Sequence, residues 1–263
     1  MMRIIFLGDV VGEPGRLAMY RAVEDLRREF SPALVVVNGE NAAGGRGITP
    51  RLCREFLDKG VDVITLGDHV WDQPELAGWI DSEPRVLRPH NLQSGTPGKG
   101  SVMISTNHGS IAILNLRGRT FMAPGPENPF TTGMEEAQRL RQAGACAILV
   151  DIHAETTSEK IAMAQHLDGR VSAVLGTHTH VQTSDARLLP GGTAAMTDVG
   201  MCGSRDGIIG RDSAAVLRGC TTAMPCKYPI GDWPTRVSGA MVEIDSGSGR
   251  ALNIQAINKD YDR

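Results

Sequence analysis

The chain has 263 residues, 41% of them hydrophobic and 22% charged, with a formal net charge of −3 at pH 7. That size and balance suit one large α/β domain with a sizeable core. Slight acidity with no long basic run gives nucleic acid or a membrane surface no electrostatic footprint, so no stable nucleic-acid or membrane partner is expected. Five cysteines without a C-x-x-C fit a reducing compartment and argue against both a disulfide framework and a structural zinc site. No segment approaches a membrane span, and the apolar start stops at Gly8-Asp9, too short for a signal-peptide core. The expectation is a cytoplasmic protein.

In chain order, residues 3–7 read as a first strand, ended by Gly8-Asp9-Val10-Val11-Gly12. A helix follows over 16–30, with Leu17, Tyr20, Val23, Leu26 and Phe30 on one face. Residues 33–37 form a second buried strand running into Asn38-Gly39-Glu40-Asn41, then a glycine-rich loop and a helix from Pro50. A third strand, 62–66, ends in Gly67-Asp68-His69. This strand–helix–strand alternation implies parallel strands with right-handed crossovers. After a Gly/Pro-rich loop over 89–100, short strands at 102–105 and 111–116 flank a hairpin signal at Asn107-His108-Gly109.

A helix is expected over 134–142, a buried strand over 146–150 ending in Asp151-Ile152-His153, and a helix over 158–167. The apolar run 171–175 then leads into Gly176-Thr177-His178-Thr179-His180. Alternate residues of an extended strand end point the same way, so both imidazoles could reach one point, and an H-x-H there suggests a metal. Strands at 186–189 and 193–197 follow, and 239–244 with 252–257 close the chain as an antiparallel hairpin. The stretch 200–233 yields no assignment. With no repeat or linker, a single domain over 1–263 is the simplest organisation.

The strand ends carry the chemistry. Asp9 follows the first strand, Glu40 and Asn41 the second, Asp68 and His69 the third, and His153, His178 and His180 the later ones. In open α/β sheets the carboxyl ends line one edge, where ligands bind. So many carboxylate, carboxamide and imidazole groups exceed one tetrahedral site and suit two ions sharing a carboxylate and a water. Oxygen and nitrogen donors without a thiolate favour iron or manganese, with zinc open. Gly44-Gly45-Arg46-Gly47 is no dinucleotide fingerprint, Gly98-Lys99-Gly100 lacks the phosphate-loop spacing, and no G-x-S-x-G elbow is present.

At this point the sequence resembles the calcineurin-like metallophosphoesterases and, within them, the bacterial YmdB-type cyclic-nucleotide phosphodiesterases. The resemblance covers nearly the whole chain. It runs through Gly8-Asp9-Val10-Val11-Gly12, Asn38-Gly39-Glu40-Asn41-Ala42, Gly95-Thr96-Pro97-Gly98-Lys99-Gly100 and Asn115-Leu116-Arg117-Gly118-Arg119-Thr120-Phe121. It continues through His153-Ala154-Glu155, Thr157-Ser158-Glu159-Lys160, the H-x-H stretch and Thr197-Asp198-Val199-Gly200.

The resemblance implies an α/β sandwich of two central β-sheets flanked by helices. It implies one metal held by Asp9, Glu40, Asn41 and His180. Glu40 would bridge to a second metal completed by Asp68, His153 and His178. It further implies hydrolysis of a 2′,3′-cyclic nucleotide or other phosphodiester by a metal-bridging hydroxide, with His69 as the general acid. A histidine that the superfamily usually carries two residues after the first aspartate is here Val11, and Asn41 stands in for it. The family's third motif is Gly-Asn-His; here it is Gly67-Asp68-His69, which adds a negative charge and implies lower activity.

Glu155 and Asp198 are candidates for orienting ligand imidazoles, and Arg117 and Arg119 for contacting phosphate, each against a purely structural role. His90 and His108 read as surface loop residues and His166 as structural. Two other functions stay open: a phosphomonoesterase or nucleotidase on the same metals, and a catalytically weakened, metal-dependent regulatory nucleotide-binding protein. A homo-oligomer is compatible with the sequence.

Overall fold

A computed structural model describes residues 1–263. In chain order the elements are β1 (Met2–Leu7), β2 (Asp9–Val10), α1 (Gly12–Phe30), β3 (Leu34–Asn38), α2 (Pro50–Asp58), β4 (Val63–Thr65) and β5 (Val86–Leu87). There follow β6 (Ser101–Thr106), β7 (Gly109–Arg117), α3 (Pro129–Gln142), β8 (Ala147–His153), α4 (Thr157–His166) and β9 (Ala173–Thr177). The chain ends with β10 (Arg187–Leu188), β11 (Ala194–Met196), β12 (Met201–Ser204), α5 (Ser213–Thr222), β13 (Thr235–Ile244) and β14 (Ala251–Tyr261).

One sheet has the order β2-β12-β13-β1-β3-β4-β5, with β14 also paired to β13; the other runs β10-β11-β9-β8-β7-β6. The expected parallel crossovers are present as β1–β3, β3–β4, β7–β8, β8–β9 and β9–β11. Strand alternation builds the layers. In β1, Ile4 and Phe6 enter a core between the two sheets, whereas Ile5 and Leu7 pack under α1 and α2. A third core joins the far face of the second sheet, through Leu114, Ile148 and Val150, to α3 and α4. The result is a four-layer αββα sandwich.

Local signals explain most boundaries. Thr49 caps α2 by accepting from the Leu52 N–H (3.2 Å). Helix α3 begins earlier in the chain than expected because Asn128 caps it, accepting from the Phe130 N–H (3.0 Å). Helix α1 differs from expectation in its buried face, which is Ala18, Met19, Ala22, Val23 and Leu26; Leu17 is exposed. Small residues at 15, 18 and 22 let the helix lie close to the sheet, and a Cβ on Gly15 would collide with the Cys202 carbonyl. The unassigned stretch holds β12, which extends the first sheet, and α5, whose buried residues are only Ala215 and Gly219.

Candidate metal centre

The strand-end residues converge along the seam between the sheets. β1–β2, β3 and β4 deliver Asp9, Glu40, Asn41, Asp68 and His69 from the first sheet; β8 and β9 deliver His153, His178 and His180 from the second. Oxygen donors come from one sheet and ring nitrogens from the other.

Four of these groups form a tight cluster. His153 Nε2 lies 3.0 Å from each of Glu40 Oε1, Asp68 Oδ1 and His178 Nδ1, and His178 Nδ1 lies 3.3 Å from Asp68 Oδ1. One ring proton cannot satisfy three neighbours at that distance, whereas a cation among the four atoms satisfies all of them. A second group lies beside it: His180 Nε2 is 3.2 Å from Asn41 Oδ1 and 3.9 Å from Asp9 Oδ1. Asp9 Oδ1 is fully buried with no hydrogen-bond partner, an orphaned anionic oxygen facing that group. The residues present fit two cations.

Electrostatics agree. Burial alone would lower the His153 ring, yet the facing Glu40 charge and hydrogen bonds to Asp68 and Glu40 raise it well above its ordinary value. Burial would raise the Asp68 carboxyl, but hydrogen bonds from His153 and His178 hold it well below the usual carboxylate range. Asp9 moves the other way, pushed up by burial against the opposing charges of His180 and His153. The cavity is anionic and draws positive charge.

Neighbouring groups fix each donor. Asp151 Oδ1 accepts from the Thr177 hydroxyl (2.7 Å), so that hydroxyl accepts in turn from His153 Nδ1 (2.9 Å), leaving Nε2 to face the cluster. Thr65 and Asn38 also donate to Asp151, whose carboxyl burial raises to about 6. The Asn41 amide donates to the Gly45 carbonyl (3.3 Å), which turns its oxygen toward His180. Glu40 Oε2 accepts from the His69 backbone N–H (3.1 Å). Gly67 is required at this approach, because a Cβ there would lie 2.2–2.3 Å from the His153 ring and the Glu40 carboxylate.

Several expectations need correction. The H-x-H stretch is not an extended strand end: β9 stops at Thr177, and His178 and His180 take φ values of 99° and 66°. The bent loop separates the two rings, sending His178 to the four-atom cluster and His180 to Asn41 and Asp9. Glu155 does meet a ring, with Oε2 3.0 Å from His178 Nε2. Asp198 does not; it holds Lys160 and the Thr179 backbone instead. Arg117 is buried and donates to the Ala123 carbonyl (2.6 Å), a structural contact within its own loop. His90 is half-buried near Glu136 rather than on the surface, and His166 holds the Phe130 carbonyl.

Sequence reasoning passed over Asp72, which lies in the same turn as His69 with Oδ2 3.0 Å from His69 Nδ1; its His-x-x-Asp spacing was a readable signal. Asp151 and Thr177 were passed over too, though Asp151 shares a strand face with His153.

The fold and the composition of this centre define a calcineurin-like metallophosphoesterase. The chain belongs to the YmdB-like protein family, whose profile matches residues 5–257. The 2′,3′-cyclic-nucleotide 2′-phosphodiesterase of Bacillus subtilis (strain 168) is 43% identical to it over 262 residues, covering 99% of this chain and 98% of that one. The crystal structure of a novel phosphatase from Mycoplasma pneumoniae matches with a TM-score of 0.92 at 32% identity, covering 99% of this chain and 94% of that one. A 5′-nucleotidase precursor from Thermus thermophilus has a TM-score of 0.61 at 13% identity, covering 98% of this chain and 54% of that one, a likeness of fold alone.

Proposed function

We propose that this chain is a dinuclear-metal phosphodiesterase that opens 2′,3′-cyclic nucleotides. The observation that carries this reading is the pair of adjacent donor groups, one with an orphaned buried carboxylate oxygen, in a chain so similar to the Bacillus subtilis enzyme. Asp9, Asn41 and His180 would hold one ion; Asp68, His153 and His178 the other; Glu40 would serve both. The donor set of oxygen and nitrogen favours iron or manganese. When bound, the two ions would supply Lewis acidity toward the phosphate and would activate water as a nucleophile at neutral pH.

The chain's own residues do the rest. Opening the cyclic phosphate breaks a P–O bond to ribose, and the departing oxygen needs a proton. His69 stands beside the ligands with Nδ1 held by Asp72, so Nε2 presents the proton to that oxygen while the carboxylate steadies the imidazolium before transfer. The backbone bond from His69 to Glu40 ties the acid to the carboxylate that would serve both ions, which would fix its position relative to the reacting phosphate. The Asp151–Thr177–His153 chain keeps the buried ring from rotating. No helix is long and apolar enough to cross a membrane, and the proposed setting is the cytoplasm.

The reading is tested by turnover of 2′,3′-cyclic AMP and of a phosphomonoester by metal-stripped protein reloaded with manganese or iron, with metals counted in each sample. Turnover of the cyclic substrate at two metals per chain is the expected result. Turnover of the monoester alone would make the protein a phosphatase. Fewer than one metal per chain would overturn the donor assignments.

A further inference from the structure

His180 also borders a cavity of about 330 Å³ whose walls differ in character. Val181, Ile209 and Met201 give it apolar sides, and Ser238 and Asn258 give it a polar end. Val181 is 60% exposed and Ile209 49% exposed, so two β-branched side chains stand in water at the rim of the metal centre.

Ile209 holds its position against local preference. Ile208 and Arg211 exchange backbone hydrogen bonds of 2.9 Å in each direction, so Ile209-Gly210 is a two-residue turn. Its φ values are 46° and 85°. Positive φ at both central positions is the type I′ pattern, which favours Asn-Gly, and a β-branched residue there is a genuine outlier. The turn makes one contact with the metal centre. The Ile209 carbonyl accepts from His180 Nδ1 (3.0 Å) and thereby turns Nε2 toward Asn41. An Asn-Gly turn would present the same carbonyl, so that contact does not account for the isoleucine. The cavity does, because the side chain forms its wall. Strained residues of this kind cluster where a ligand is held.

The polar end indicates the ligand's charge. Arg205 and Arg236 reach the cavity, but Asp206 and Asp260 pair with them at 2.7–3.2 Å, so this end is neutral and suits an uncharged polar ligand rather than a second phosphate. The Asn258 carboxamide is fixed in orientation, accepting from Ser238 Oγ (3.0 Å) and donating to Gln182 Oε1. It keeps one N–H and one lone pair to spare.

We infer that this cavity is the nucleobase subsite of the active site, with the base between Val181 and Ile209 and its hydrogen-bonding edge on Asn258. The inference rests on the cyclic-nucleotide reading above and adds where the base is held. A base there is adjacent to His180, so the ribose phosphate would lie over the donor groups. Apolar contact with the ring faces supplies affinity, and the single carboxamide can serve more than one base.

The experiment compares kcat/KM for 2′,3′-cyclic AMP with that for 1-O-methylribose 2,3-cyclic phosphate, which lacks the base, and measures adenosine binding to the metal-loaded protein by calorimetry. The variants are Val181→Ala and Ile209→Asn. Ile209→Asn keeps the turn and its carbonyl and should raise the melting temperature, since asparagine accepts positive φ. The preference for the substrate with a base should fall about tenfold in each variant, mainly through KM, as expected for loss of part of an aliphatic side chain's burial. Adenosine binding should weaken in parallel. An unchanged preference with unchanged adenosine binding overturns the subsite. If the wild-type protein opens neither cyclic phosphate, the phosphodiesterase reading fails, and adenosine binding alone decides: lost in both variants, the cavity is a base site; absent or unaltered, it is not.

Discussion

Asp68 places a carboxylate where the resemblance implies asparagine, and its Oδ1 is turned into the cluster, 3.0 Å from His153 Nε2. Hydrogen bonds from His153 and His178 overcome the burial that would otherwise raise its pKa and hold it well below the usual carboxylate range. Asparagine would keep an oxygen donor while removing one negative charge from beside the phosphate. Asp68→Asn should therefore raise the metal-saturated kcat on a phosphodiester on the order of tenfold, or about 1.4 kcal/mol of barrier. An unchanged rate at full metal occupancy would remove the charge argument. His69 makes its backbone contact through Glu40 but points its ring at Asp72, outside the donor cluster. His69→Ala should lower kcat about 10²–10⁴-fold with metal content intact, as expected for a lost general acid. Asp72→Asn should lower it less, about 10-fold, because the ring remains but its orientation is no longer enforced. Metal loss in step with activity would make either residue a ligand or a scaffold instead.

The loop after β9 shows what the sequence can and cannot convey about an element. H-x-H after an apolar run places two rings just past the end of β9, yet the bend that separates them depends on residues far away in the chain. Asp198 Oδ2 accepts from the Thr179 N–H (3.1 Å), the Thr179 hydroxyl (2.7 Å) and the Lys160 ammonium (2.6 Å), and Oδ1 accepts from the Gly200 N–H (2.8 Å). Both partners of the ion pair are buried. Continuous apolar runs made the parallel strands legible because buried strands are apolar on both faces, and each proposed donor stands at or just past the end of such a strand. The turn at Ile209-Gly210 was not, since isoleucine gives no turn signal, and α5 was not, since it buries almost nothing to impose a period. Lys160→Met should cost about 3–5 kcal/mol in urea unfolding, the penalty for a buried carboxylate left without its cation. Adding Asp198→Asn should recover part of that loss. A single variant as stable as wild type would mean that water or a shifted donor replaces the ammonium.

At the scale of the molecule, the centre lies across a joint. The first sheet supplies Asp9, Glu40, Asn41 and Asp68, the second supplies His153, His178 and His180, and the layer between them is a single apolar core. The geometry of the metal site is thus a measure of how the sheets are packed. Phe6 lies in that core, fully buried and two residues before Gly8-Asp9. Phe6→Ala removes a large side chain from the joint without altering a donor, and should cost about 3–5 kcal/mol of stability. Because a cavity there lets one sheet shift against the other, it should also weaken metal binding, measured by competition with a chelator. Conversely, metal at a hundred times its dissociation constant should stabilise the wild-type fold by about 2.7 kcal/mol per site, and removing it should lower the melting temperature accordingly. A Phe6→Ala protein that loses stability yet holds metal as tightly as wild type would show that each donor loop is fixed by its own sheet. The contacts that cross the seam argue otherwise: Asn38 and Thr65 of the first sheet bond to Asp151 of the second, and the His178 backbone bonds to Asp9. Packing between the sheets and the position of the donors are one mechanical property.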